Sequence, residues 1–531
     1  MQKIIIKLVI LKTLFNKKGC VNMLAKSQSR TIFGVTSREI DVEIDITSGI
    51  RSFVIVGLPD TACRESAKRV MAALKNSGFK LPSLRITVNL APAHLRKEGA
   101  MHDLAIAVTI LAAMDIIDKG CLENKIFCGE LSLDGSLRPV KGILCVADEL
   151  QKDKSKELLI PFHNRSEASA VAGLRFVAAS CLLEVIGYLT KGTKPLDNRA
   201  YKNKKAHLSI DCHDYSDIKG NYNAKRAIEI AVAGGHNILL IGSPGAGKTM
   251  LAQRLPTIMG DLNKEESIET SKIYSISGLL SDKELITTPP FRALHHSVSD
   301  AGMLGGGSHH IRPGEISLAH NGVLFLDELP EFRRNVLEAL RQPLEEDLIR
   351  ISRANASLSY PCRFMLVAAM NPCPCGFLTH PKRVCTCSPG QIQRYLSKIS
   401  GPLLDRIDMH IEIQPIKYEQ MIETTSEKTS IIIKERTKKA RSAQKERYKN
   451  HNYSLNAKLP HRDLASYCQI SEGAAGLLKT AMSELFISAR AYDKILRVSR
   501  TIADLDNKPL IGAEEVSEAI SYRCLDTKAW L

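Results

Sequence analysis

The chain reads as an α/β protein built on a P-loop nucleotide-binding core, and three features carry that reading. The first is Gly242-Ser243-Pro244-Gly245-Ala246-Gly247-Lys248-Thr249, a G-x-x-x-x-G-K-[ST] string between the apolar run Asn237–Ile241 and the helix-forming Met250–Arg254. The second is Gly322-Val323-Leu324-Phe325-Leu326, an apolar run of buried-strand type that ends on Asp327 and Glu328. The third is the alternation, from about Met23 to Leu189, of short β-rich runs with Ala/Leu-rich helical stretches.

Each string has a chemical reason. Glycines let a loop curl so that successive backbone N–H groups, with the N-terminus of the following helix, face one phosphate chain. Lys248 would neutralise the β/γ-phosphates and the Thr249 hydroxyl would hold Mg²⁺. Asp327 would complete the Mg²⁺ site through water or through Thr249, and Glu328 would orient and deprotonate the attacking water. A Gly-rich turn would explain the first string alone, and a strand ending in solvated acids the second alone. Together in one chain they mark a site for ATP and Mg²⁺ that hydrolyses the nucleotide.

At 531 residues the chain is long enough for several domains. Its 73 Lys+Arg against 57 Asp+Glu give a net charge of +16, which favours a polyanionic partner without requiring one. Fourteen cysteines and no clear export signal point to a reducing cytoplasm, with thiols or metal ligands rather than disulfides. No uncharged apolar run reaches about 18 residues, so no membrane-spanning helix and no membrane partner are expected. The faintly signal-like stretch Ile4–Phe15 is interrupted by Lys7 and Lys12 and has no small-residue cleavage site after it. Residues 1–22 therefore read as an N-terminal extension, of the kind a mis-assigned start adds, and Met23 as the domain start.

In chain order, Val42–Ile46, Phe53–Val56 and Ile86–Leu90 read as strands and Leu104–Met114 as a helix, within an α+β block of residues 23–190. Residues 191–214, with Gly192, Pro195 and Lys202, Lys204 and Lys205, have linker composition. The nucleotide motifs occupy 215–415, and 416–531 is helical in pattern with charged faces. Between the motifs lie Arg292-Ala-Leu-His-His296, Gly305–His310 and Arg312. The paired histidines read as loop or packing residues and are assigned no metal. Cys373-Pro-Cys375 and Cys385-Thr-Cys387 form C-x-C-x₉-C-x-C. Residues i and i+2 of an extended segment share a face, so each pair can offer two thiolates to a tetrahedral, structural Zn²⁺ site. The spacing departs from the usual C-x₂-C, and four reduced thiols in a loop is the competing reading.

Long strings carry a resemblance: Gly49–Asp60, Gly129–Gly142, Pro313–Pro330 and Gly401–Asp408. From about residue 23 to its end the chain resembles the YifB/ComM family of magnesium-chelatase-like AAA+ ATPases. That resemblance implies an AAA+ core at 215–415, a helical lid at 416–531 and a preceding Lon-protease-like (ChlI-like) domain at 23–190. Asn371, after the apolar strand Phe364–Ala369, fits the sensor that polarises the attacking water, with a turn cap as the bland alternative. Arg406 resembles the arginine finger that a neighbouring subunit points at the γ-phosphate. Its alternative is a salt bridge with Asp405 or Asp408. Arg490 resembles the lid arginine that senses the γ-phosphate, although Arg497 and Arg500 lie on the same predicted helix. A finger acting in trans implies a homo-oligomeric ring, expected to be a hexamer.

Where Lon-type proteases carry the nucleophilic serine this chain reads Glu98-Gly-Ala-Met101, and near the partner lysine it reads Lys141-Gly-Ile-Leu144. The resemblance thus implies a catalytically dead domain that binds or scaffolds. The implied activity is that of an ATP-driven translocase or helicase on single-stranded or branched DNA, with branch migration in recombination and natural transformation as the family role. Lys434–Lys449, with eight basic residues against two acidic, suits phosphate contacts, although such helices are commonly solvated faces. A magnesium-chelatase-like motor for metal insertion or protein remodelling is the alternative, which the added N-terminal block and the basic balance oppose. A non-catalytic nucleotide-gated binding protein is opposed by Lys248, Asp327 and Glu328.

Overall fold

The computed structural model describes residues 23–82, 84–195, 214–280, 285–307, 311–353, 356–416, 429–485, 487–523 and 525. The upstream residues 1–22, most of the linker stretch and the histidine pair at 309–310 lie outside the described residues. The chain divides into two compact units. One takes the described residues up to Ala206 together with those of Ser271–Leu285, and the other takes those of His207–Thr270 and Ile286–Leu531.

The first unit is a seven-stranded mixed sheet. Its strands are β1 (Met23–Phe33), β2 (Thr36–Ser48), β3 (Ser52–Val56), β4 (Leu84–Ala91), β5 (Lys125–Phe127), β6 (Glu157–Pro161) and β7 (Phe176–Ala179), in the order β3-β4-β2-β1-β5-β6-β7. Strand β2 shows why: Ile40, Val42, Ile44 and Ile46 are buried at every second position while the residues between them are not. β1 and β4 flank β2 in antiparallel register, from Met23 opposite Ile46 and from Asp41 opposite Ala91. The sheet packs against the helix Asp103–Ala113, which apart from Asp103 and Thr109 is apolar and whose every residue is buried. The helix Thr61–Asn76 starts on Asp60, whose carboxylate accepts the Cys63 N–H at 2.7 Å. Met101 and Leu144 belong to one apolar cluster with Ile126, Val140 and Leu158.

The second unit holds a five-stranded, all-parallel sheet. The strands are β8 (Ile238–Gly242), β9 (Phe291–Leu294), β10 (Gly322–Leu326), β11 (Phe364–Met370) and β12 (Met409–Ile413), in the order β9-β10-β11-β8-β12. β8 and β10 are buried at every position, as parallel strands covered on both faces must be. Asn237, just before β8, ties three strands together. Its side chain donates to the Arg406 carbonyl at 3.0 Å and accepts from the Leu366 N–H at 2.8 Å, while its own N–H meets the Asp408 carboxylate at 3.0 Å. The lid is helical: Ser430–Arg447, His461–Tyr467, Glu472–Glu484, Ala489–Leu505 and Ala513–Ser521. Inside it, Asp504 receives Arg447, Arg500 and the Asn456 amide. Among the described residues no helix is long and apolar enough to cross a membrane.

Candidate active site

The ends of β8, β10 and β11 bring the nucleotide motifs to one place. β8 stops at Gly242, the loop runs to Gly247, and the helix Lys248–Gln253 begins. Gly245 (φ +78°) and Gly247 (φ +89°) occupy the left-handed region, and a Cβ on either would meet no atom within 4 Å. The cradle is therefore open where a phosphate chain has to lie. Lys248 is buried and its ammonium donates to the carbonyls of Gly242 (2.6 Å) and Ser243 (3.0 Å) and to the Asn371 side-chain oxygen (3.1 Å). Burial lowers its pKa, against the opposing pull of Asp327 and Glu328.

The Thr249 hydroxyl donates to Asp327 at 2.8 Å. Two hard oxygen ligands thus stand side by side next to an open phosphate cradle, a donor set that fits Mg²⁺ with bound nucleotide. Glu328 is exposed, sits at φ +54°, and donates its backbone N–H to the Asp327 carboxylate at 3.0 Å. Its own carboxylate lies 3.5 Å from His296 Nδ1. In sequence the paired histidines read as loop or packing residues, and this contact places one of them at the site. The contact follows from the parallel pairing of β9 with β10, which sets Leu294 against Leu326 and carries His296 past the strand end toward Glu328.

The two family arginines stand as follows. Arg406 pairs with Glu345 and donates to the Pro402 carbonyl. Its anticipated rival partners are engaged elsewhere: Asp405 faces Arg490 at 3.4 Å, and Asp408 accepts the Asn237 N–H and faces Lys494. Arg490 starts the helix Ala489–Leu505 with an exposed side chain. Arg497 donates to the Leu459 carbonyl, and Arg500 is buried against Asp504 and the carbonyls of Lys508 and Pro509. Of the three, Arg490 alone keeps its guanidinium largely in solvent.

The cysteines converge. Sγ of Cys373 lies 3.3 Å from that of Cys375 and 3.6 Å from that of Cys385, and Cys375 lies 3.5 Å from Cys385. The Cys375 N–H points at Cys387 Sγ at 3.4 Å. All four sulfurs lie within 4.8 Å of one another.

Much of the basic helix is already paired, against its reading as a phosphate-binding face. Arg441 is not available to a phosphate, because its guanidinium donates twice to the Val232 carbonyl, at 3.0 and 2.7 Å. Lys434, Arg436 and Arg447 are likewise tied to Asp261, Glu229 and Asp504. Lys438, Lys439 and Lys445 remain exposed.

A parallel sheet of this order, with a P-loop after the strand next to one edge, an acidic pair at the end of another strand and a helical lid, defines an AAA+ P-loop ATPase. Residues 214–421 match the family described as magnesium chelatase, subunit ChlI, residues 42–164 match subunit ChlI of Mg-chelatase, and residues 427–523 match its C-terminal part. The chain is 44% identical over 506 residues to Competence protein ComM of Haemophilus influenzae, covering 94% of this chain and 98% of that one. It is 41% identical over 500 residues to YifB of Escherichia coli, covering 94% and 96%. A 212-residue stretch is 24% identical to Lon protease 2 of Bacillus subtilis, 36% of each chain. The chain belongs to the YifB/ComM family of magnesium-chelatase-like AAA+ ATPases, with a Lon-protease-like α+β domain ahead of the ATPase core.

Proposed function

We propose that this chain is a ring-forming ATPase that couples ATP hydrolysis to movement on, or remodelling of, branched or single-stranded DNA. The observation that carries the reading is the near-complete match to a protein named for competence, joined to a net charge of +16. Exposed Lys438, Lys439 and Lys445 on one lid helix supply phosphate contacts that the ATPase site does not use.

In hydrolysis the loop Gly242–Gly247 and Lys248 hold the phosphates, and Thr249 and Asp327 hold Mg²⁺. Mg²⁺ held by Thr249 and Asp327 would supply positive charge against the negative charge that develops in phosphoryl transfer. Glu328 takes a proton from the attacking water, which Asn371 helps to orient. Arg406 serves a neighbouring subunit's nucleotide, so Glu345 must release it on ring assembly, and a hexamer is the expected ring. Arg490 reports the γ-phosphate to the lid. Cys373, Cys375, Cys385 and Cys387 hold a structural Zn²⁺.

We assign residues 23–190 to a scaffold without peptidase activity, 215–415 to the ATPase core and 416–531 to the lid, acting in the cytoplasm. Support for the first assignment comes from Met101 and Leu144, apolar and packed in one cluster near the places where a dyad would stand. The deciding experiment is the ATPase rate without DNA and with single-stranded, duplex and branched DNA. Stimulation by single-stranded or branched forms is expected. Failure to bind any DNA form with ATP present favours the chelatase-like or protein-remodelling motor instead.

A further inference from the structure

The four-cysteine loop touches the P-loop. Gly376, the residue after Cys375, has φ +80°, and a Cβ there would lie 2.5 Å from Cδ and 2.9 Å from Cγ of Pro244. Its N–H closes a turn onto the Cys373 carbonyl at 2.9 Å. Asn371, two residues before Cys373, accepts the Lys248 ammonium. The first cysteine pair is thus continuous with one wall of the nucleotide pocket. The second pair runs into the helix Pro389–Leu396, whose cap Ser388 follows Cys387 directly.

Apolar burial does little to organise this loop, whose other contacts are local ones around Phe377 and His380. No residue from Phe377 to Arg394 is buried, and no helix or strand occurs between Met370 and Pro389. Val384, beside Cys385, is 88% exposed. A segment with so little apolar burial needs another source of order, and a metal held by four thiolates is the usual one. Tetrahedral zinc with Zn–S near 2.3 Å places sulfurs about 3.8 Å apart. The observed separations of 3.3, 3.6 and 3.5 Å leave sulfurs gathered for such an ion rather than paired in a disulfide.

We propose that this cluster is a metal lock on the nucleotide pocket: a thiophilic divalent cation of the zinc class, held by Cys373, Cys375, Cys385 and Cys387, fixes the Gly376 turn against Pro244 and Asn371 beside Lys248. Nucleotide affinity then depends on a metal that touches neither the phosphates nor the Mg²⁺ ligands. The inference rests on the assignment of the P-loop pocket to ATP.

The test uses the full-length chain, with metal content by mass spectrometry and affinity for a fluorescent ATP analogue at fixed Mg²⁺. One zinc per chain is expected. Removing it with a chelator that prefers zinc to magnesium should weaken nucleotide binding at least about tenfold, and added Zn²⁺ should restore it. The double variant Cys385→Ser/Cys387→Ser should lose both the metal and the affinity. Gly376→Ala keeps all four thiols, so it should retain zinc yet bind nucleotide about tenfold more weakly, because the turn is strained and Pro244 displaced.

A chain that neither carries nor takes up zinc overturns the metal site. Full affinity in both the stripped protein and Gly376→Ala overturns the lock. A zinc-loaded chain that binds no nucleotide refutes the ATP-site assignment instead, with the metal count standing apart from it.

Discussion

Replacing Glu328 by Gln separates binding from chemistry in a way the geometry makes clean. The Glu328 side chain is 59% exposed, and its carboxylate contact within the described residues is His296 at 3.5 Å. Gln has the same length, and the residue's φ of +54° is equally unfavourable for both, so backbone strain is unchanged. Stability should therefore move by less than about 0.5 kcal/mol. The P-loop contacts of Lys248 and the Thr249–Asp327 pair do not involve the Glu328 side chain, so nucleotide affinity should hold. What disappears is the group proposed to take the water's proton. General-base removal costs about 10²–10⁴ in rate, or about 2.7–5.4 kcal/mol of transition-state stabilisation. Phosphate release at saturating ATP should fall by that factor while a fluorescent ATP analogue still binds as to the parent. Turnover within about tenfold of the parent, with binding intact, would refute Glu328 as the base. Lys248→Ala is the contrasting variant: its ammonium is part of the cradle, so affinity itself should fall.

If the chain forms the proposed ring, Arg406→Ala and Glu328→Gln subunits, each expected to be inactive alone, should regain partial hydrolysis when mixed, because mixed rings would contain interfaces pairing an intact Arg406 with an intact Glu328. Proven co-assembly with no rescue would return Arg406 to its Glu345 pair as a purely structural contact. For DNA, log affinity should fall linearly with log salt, and Lys438→Glu/Lys439→Glu/Lys445→Glu should weaken binding and flatten the slope by about 0.9 for each duplex phosphate that the variant no longer neutralises. A triple variant with the parent's slope removes this helix from the interface. Arg441 is left out because changing it would disturb the packing on Val232. The first unit should lose stability as pH falls through the His102 range. Buried beside Ser29, with Lys97 adding to the effect of burial, His102 is lowered from 6.5 to about 4, so between those values only the unfolded state takes the proton. The loss, complete near pH 4, is about 3 kcal/mol in urea unfolding, and His102→Gln should flatten that limb of the profile; an unchanged limb contradicts the assignment.

The P-loop, the acidic pair and the strand–helix order were legible because each is local: a glycine spacing, an apolar run and a terminal carboxylate sit within a few residues of one another. The contacts that sequence missed all depend on pairing between distant segments. His296 reaches Glu328 only through the β9–β10 register, Glu345 reaches Arg406 across 61 residues, and Gly376 meets Pro244 because β11 runs beside β8. The basic helix is a different lesson. Counting charges over Lys434–Lys449 treated the segment as one face, yet Ile433, Thr437, Ala440 and Gln444 are buried at three- and four-residue spacing. That period was readable in the sequence and would have set Arg441 beside the buried stripe, leaving Lys438, Lys439 and Lys445 for solvent.

The buried polar groups of the first unit bear on the proposal that its Lon-like fold serves as a scaffold. Glu167 is largely buried and its pKa is raised by that burial, while Ser275, the Asn164 amide and the Leu144 N–H, at 3.1 Å, all donate to its carboxylate. A carboxylate satisfied by three donors is a fastening point rather than an acid in search of a substrate. One of those donors, Ser275, lies in the last turn of the helix Lys264–Ser277, and nearby Lys272 pairs with Asp148. The first half of that helix carries Glu269, hydrogen-bonded to His320 and Arg363 just ahead of β10 and β11, with its pKa held down to about 2. Apolar residues at Met101 and Leu144 and a fastened Glu167 accord with the proposal that this unit scaffolds rather than cleaves. Between the two nucleotide motifs runs a helix whose first half belongs to the ATPase unit and whose last turns belong to the Lon-like one. Such a helix suits the scaffold role proposed for residues 23–190.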